Sequence, residues 1–298
     1  MMFIIIAIGF LITKKGIFSA KARTDVTDIV LYVVLPCNIF SSFSKDVSPE
    51  VLRQCGVVLL VSTCMHLFYT LLTKVLYKKA RPERREVMQY ATIISNSGFM
   101  GLPVIASVFG QTGMLYGSIV LIPLRIFMWT AGLSLFTTTA TKEKIKTVAT
   151  HPCIWAVVLG FVYLLIPYEL PGFLTMTIST VGNCTTTLSM LVVGSLLSGV
   201  ELKSVIDKDC FYYSFLRLAA IPAVVFGVLL LLKVDKLVTG VAVLSAAMPA
   251  ATVTAMLAEK YGRDAKFASK MLFVSTALSL VTLPIVGKIL TTVLNVSV

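Results

Sequence analysis

Between Tyr90 and Phe109 the chain is apolar over the length of a membrane-spanning helix, yet it is cut at its centre by Asn96-Ser97-Gly98-Phe99-Met100-Gly101-Leu102-Pro103. Two glycines, a proline and an amide interrupt the helix at bilayer depth, where lipid cannot hydrogen-bond the freed backbone groups. Such a break is sustained only when it is buried in protein or lines a cavity. The fold must therefore be built around it. A second break, Ala246-Ala247-Met248-Pro249-Ala250-Ala251-Thr252, lies in the other half of the chain. Interrupted spans in corresponding places of two halves point to a secondary transporter with its site near the midplane.

Hydrophobic residues make up 57% of the chain and charged residues 13%, about half the roughly 25% of a soluble domain. Spanning helices need about 20 mainly apolar residues. On that basis the chain reads as ten segments, near 2–13, 26–43, 51–75, 88–109, 113–137, 152–168, 171–199, 210–232, 237–258 and 265–294. The first is too short to span unaided and lacks the positive flank and cleavage site of a signal peptide. Either a half-length helix opens the protein or its start lies upstream.

The loops after odd-numbered segments hold eighteen Lys and Arg, against four in the even-numbered loops. The odd loops are thus expected to be cytoplasmic and both termini extracytoplasmic, in a multi-pass protein of the cell membrane. This topology accounts for the net charge of +12 without a nucleic-acid partner. Five spans per half is an odd number, so the second half must be inverted. The expected fold class is all-α integral membrane. Ten transmembrane helices would form two inverted five-helix repeats, 1–150 and 151–298, with helices 4 and 9 broken. Gly110 and Gly262 occupy matching places, as do Asn96-Ser97 and Met248-Pro249.

At the first break, the half-helix starting near Gly98 would present free N–H groups carrying about half a positive charge, suited to an anion. Asn96 and Ser97 add side-chain donors, and Pro249, Thr252 and Thr254 do likewise at the second. Arg125 lies within the fifth segment, where a charge costs about 2.5–3.5 kcal/mol and usually faces a cavity or a partner. Apart from Asp28 near the start of the second segment, no Asp or Glu lies in any segment. The counter-charge of Arg125 is therefore expected to be the substrate, an organic anion. Arg217, near the end of the eighth segment, is expected at the interface.

Asn38, after Pro36, and Asn183 with Thr185, Thr186 and Thr187 could line the path or simply join packed helices. His66 could relay a proton or bond to backbone. The missing carboxylates disfavour proton coupling through the chain's own acids. Six dispersed cysteines and two histidines form no metal-ligand pattern, and no cofactor is expected. With no converging nucleophile and base, an enzyme is not expected either.

Ser95 to Pro103 followed by Phe109-Gly110, Leu35-Pro36, Leu188-Ser189-Met190-Leu191-Val192-Val193-Gly194, Ala246 to Ala251, Ser275-Thr276 and Thr282-Leu283-Pro284 together resemble the auxin efflux carrier family, in order along the whole chain. The resemblance implies helices 4 and 9 crossing at their breaks, with Asn96 and Pro249 as crossover residues. It also implies a scaffold of helices 1, 2, 6 and 7, a moving part of helices 3–5 and 8–10, and a homodimer. The short segment from Thr137 to Thr150, where plant members have a long loop, suggests a bacterial member. The expected function is export of a small organic anion by elevator-like alternating access. The substrate would be held by Asn96, Ser97, Gly98, Arg125, Asn38, Pro249 and Thr252. The other reading is a sodium-coupled organic-anion importer like the bile-acid symporters, with Na+ or H+ as the possible coupling ion.

Overall fold

The computed structural model describes residues 2–41, 43, 49–136, 150, 152–166, 168–198 and 207–295. The basic residues Lys45, Lys142, Lys144, Lys146 and Lys203 lie outside the described residues. Those described form helices: α1 (Met2–Lys14), α2 (Ala20–Ser41), α3 (Pro49–Leu76), α4 (Pro82–Ile93), α5 (Ser97–Leu135), α6 (Pro152–Leu165), α7 (Gly172–Ser198), α8 (Lys208–Leu231), α9 (Lys236–Ala246), α10 (Thr252–Lys260) and α11 (Ala265–Leu294). No strand is present among them beyond one isolated bridge. Helices α3, α8 and α11, with the runs Ala20–Ser41, Ser97–Leu135 and Gly172–Ser195, are long and apolar enough to cross a membrane. Exposed Val281, Ile285 and Ile289 on α11 recur every four residues, one stripe of a helix turned toward lipid.

Some helices overrun the expected spans where a capping signal lies in a charged strip. α2 begins at Ala20 rather than 26, because the Ser19 side chain accepts from the Ala22 N–H. α4 begins at Pro82 rather than 88, with proline at its first position, where the missing N–H is no loss. Asp207, Asp235 and Asp264 cap the starts of α8, α9 and α11, placing negative charge at positive helix ends. The expected boundary between 88–109 and 113–137 is a single residue within α5, Gly110, at φ 63 and ψ −157. That region is essentially reserved for glycine. Gly262, between α10 and α11, also has positive φ, 65.

α1, α2, α6 and α7 pack on one another, while α3, α4, α5, α8, α9, α10 and α11 form a second set of contacts. Glycines set the closest approach in the first set: a Cβ on Gly194 would run into the Ile6 carbonyl. α7 reaches across to the start of α5 and to α11, and α5 also touches α2 and α6. In the second set, Arg84 joins α4 to α8 and α11 through Asp209 (2.7 Å), Asp207 (3.0 Å) and Asp264 (3.8 Å), with its guanidinium 4.6 Å from the Phe267 ring centre. Partial burial works against the Arg84 charge, but these carboxylates outweigh it and hold its pKa above the ordinary value. The arginine thus stays charged across the physiological range. Arg263 pairs with Glu86 at 2.9 Å beside it.

Candidate functional site

α4 stops because Ile94 is extended (φ −116, ψ 109), and α9 stops two residues before Met248-Pro249. The two interruptions meet. Ser95 and Ala250 form an antiparallel bridge, and the Asn96 N–H donates to the Pro249 carbonyl at 2.9 Å. Backbone groups that lipid could not satisfy thus satisfy each other. The Asn96 carbonyl then accepts from Met100 (3.1 Å) and Gly101 (3.0 Å), opening α5 as a π turn over Ser97–Gly101. Such turns are rare and often sit at functional sites.

The N–H groups of Ser97, Gly98 and Phe99 precede the first of those bonds and have no intrahelical acceptor. No side chain caps this end. Ser95 and Ser97 share a hydroxyl hydrogen bond of 2.8 Å, and both reach toward the Ser245 carbonyl at 3.4–3.5 Å. Asn96 is 4% exposed, yet among the described residues its Nδ2 has no hydrogen-bond partner, and neither do the buried Ser245 Oγ and Thr254 Oγ1. Leaving such a group unsatisfied costs about 1–3 kcal/mol.

Two buried arginines flank the crossing and are treated oppositely. Arg217, 1% exposed, donates to the carbonyls of Met248 (Nε, 3.1 Å), Thr92 (Nη1, 3.1 Å) and Ser245 (Nη2, 3.5 Å). It lies 5.1 Å from the Tyr69 ring centre. These carbonyls end α4 and α9, where the helix dipole is negative and a cation belongs. Arg125 is 8% exposed and sits at the other pole: a methyl group on Gly98, in the first turn of α5, would lie 3.6 Å from Arg125 Nη2. Its Nη1 contacts Met128 Sδ at 3.6 Å, and its Nε has no partner among the described residues. No carboxylate among the described residues pairs with it.

The structure thus brings Asn96, Ser97 and Gly98 together with Pro249, and sets Arg125 against Gly98. Thr252 is half-buried at the first position of α10. Asn38 lies elsewhere. Its Nδ2 donates to the Gly182 carbonyl at 2.7 Å, tying α2 to α7. Thr185 makes a weaker bond of 3.5 Å to the Val34 carbonyl, and Asn183 is exposed. The His66 Nδ1–H donates to the Ser62 carbonyl of its own helix at 2.7 Å, with its ring against Phe127 and Tyr69.

The interfacial placement expected for Arg217 is overturned. Its depth along α8 matters less than the crossing, which brings both carbonyl ends to it. A signal existed in Tyr213 and Arg217, one helical turn apart: the Tyr213 hydroxyl donates to Ala91 O at 2.9 Å, beside the Arg217 bond to Thr92 O.

The family model described as "Membrane transport protein" matches residues 1–151 and 145–286 of the chain. An uncharacterized transporter of Methanocaldococcus jannaschii is 25% identical over 297 residues, covering 96% of each chain. Another, from Methanothermobacter thermautotrophicus, is 28% identical over 291 residues, covering 95% of this chain and 94% of the relative.

Proposed function

The chain belongs to the membrane transport protein family, that of the auxin efflux carriers, and from that membership we propose that it exports a small organic anion bound at the crossing of the two broken helices. The observation that carries this reading is the placement of Arg125. A guanidinium beside a positive helix end repels it, and the repulsion is relieved only by negative charge between them. A carboxylate there would accept from the Ser97–Phe99 N–H groups, from Asn96 Nδ2 and from the unpaired Nε of Arg125. These donors answer a planar anion.

In this reading the chain is two inverted five-helix repeats. α1, α2, α6 and α7 are the scaffold, and the remaining helices carry the crossing past them by an elevator-like movement. Their separate packing sets support this division. The protein works as a homodimer in the cell membrane with both termini outside. It requires no cofactor or metal.

The test is thermal unfolding of the purified protein against a panel of small carboxylates, each paired with its uncharged amide. Carboxylates stabilise the wild type and the amides do not. Arg125→Gln weakens the carboxylate effect about 10–100-fold in concentration, the equivalent of a lost charged hydrogen bond. Stabilisation by no carboxylate, or an undiminished effect in Arg125→Gln, would refute the assignment.

A further inference from the structure

Broken-helix carriers that couple to a cation hold it on unwound carbonyls and at the C-terminal ends of half-helices. Those groups exist here, and each is free of its helical donor for an identifiable reason. The donor due to Thr92 O four residues on is the Asn96 N–H, which is turned to Pro249 O. For Ser245 O that position is Pro249, which has no N–H, leaving it long bonds of 3.4–3.5 Å from the Met248 N–H and the Ser95 and Ser97 hydroxyls. Met248 O lies within the break itself. All three accept from one side chain, the Arg217 guanidinium, at 3.1–3.5 Å. The Tyr69 ring lies 5.1 Å from it, and no carboxylate among the described residues pairs with it.

We propose that Arg217 is a tethered cation standing where a coupling ion would bind, so that the carrier needs no sodium and hides a latent sodium site beneath the arginine. A sodium ion on the same carbonyls would lie within contact of a like charge. Being covalently attached, the arginine returns with the empty carrier. Each cycle therefore moves only the charge of the substrate. This inference rests on the crossing being the transport site and is independent of which anion is carried.

The experiment compares thermal unfolding of wild type, Arg217→Lys and Arg217→Ser in sodium chloride and in choline chloride of equal ionic strength, without substrate. Equilibrium binding of radioactive sodium is measured on the same samples. Wild type and Arg217→Lys are expected to unfold identically in the two salts and to bind no sodium saturably. Arg217→Ser uncovers the carbonyls. Its midpoint is expected to fall in choline and to recover by about 2–4 °C in sodium, with saturable sodium binding. Saturable sodium binding to the wild type overturns the proposal, as does a folded Arg217→Ser indifferent to sodium. If the serine variant does not fold, sodium binding to wild type and Arg217→Lys decides. The carboxylate shifts of wild type are read in choline alone, so failure of the anion site shows separately.

Discussion

Two arginines buried in one apolar chain have opposite surroundings, and the helix dipole tells them apart. Arg217 meets carbonyls and bonds one from each of its three nitrogens; Arg125 meets a helix N-terminus and keeps an Nε without a partner among the described residues. Arg125→Lys retains the charge but loses the planar fork, so carboxylate binding should weaken yet survive, whereas Arg125→Gln should lose most of it. Asn96→Ala removes the orphaned Nδ2 while leaving the backbone bond to Pro249 intact. The fold should persist, with ligand affinity down about 10-fold or more, the loss of one hydrogen bond to a charged group. Titrated thermal shifts check both, and an Asn96→Ala protein with wild-type affinity would remove Asn96 from the site. The burial of both residues beside the break was legible in the sequence, because an amide and a cation at bilayer depth are costly when exposed to lipid. Asn38 carried the same signal and has a different partner, the Gly182 carbonyl. Residue type marks a polar group that needs an acceptor without naming which one.

At the scale of elements, the apolar runs and their interruptions were readable because membrane length and helix-breaking residues are local properties. Helix ends were read well for 265–294, which matches α11 at both ends, but not for α2 and α4, because hydropathy stops where lipid stops, while a cap such as Ser19 or Pro82 continues the helix into water. Gly110 reads as a linker in sequence and is a one-residue corner in the structure. With φ 63 and ψ −157 and nothing within 4 Å of the place a methyl group would take, its substitution is a conformational cost alone. Gly110→Ala should therefore destabilise by about 1–3 kcal/mol, seen in the unfolding midpoint, without a steric clash. Arg84 fastens α4 to α8 and α11 from a side chain 21% exposed. Arg84→Gln should lower stability by about 1–2 kcal/mol. The difference from wild type should shrink in high salt, which screens what remains of the attraction.

At the scale of the molecule, the packing of α1, α2, α6 and α7 mainly on one another is contact between residues distant in sequence. No local pattern announces it. If, as proposed, Arg217 moves with the carrier in both directions, transport should depend on membrane voltage. If only substrate charge moves, a monovalent anion should distribute across proteoliposomes in proportion to the imposed potential. The ratio should change about fifty-fold per 100 mV, from roughly 2.3 kcal/mol per charge, and a negative interior should drive it out. A ratio indifferent to potential would count against uncoupled movement of an anion.

The bond between Asn96 and Pro249 also has a consequence in time. The two breaks satisfy each other, but about 150 residues of chain separate them. At roughly 5–20 residues per second, a ribosome takes about 8–30 s to deliver the second after the first. Throughout that interval the nascent first half holds an unfinished crossing. The insertion machinery must keep it from lipid until its partner arrives. Mutations that lengthen the wait, or weaken the second break, should show themselves first as failed biogenesis and only then as failed transport.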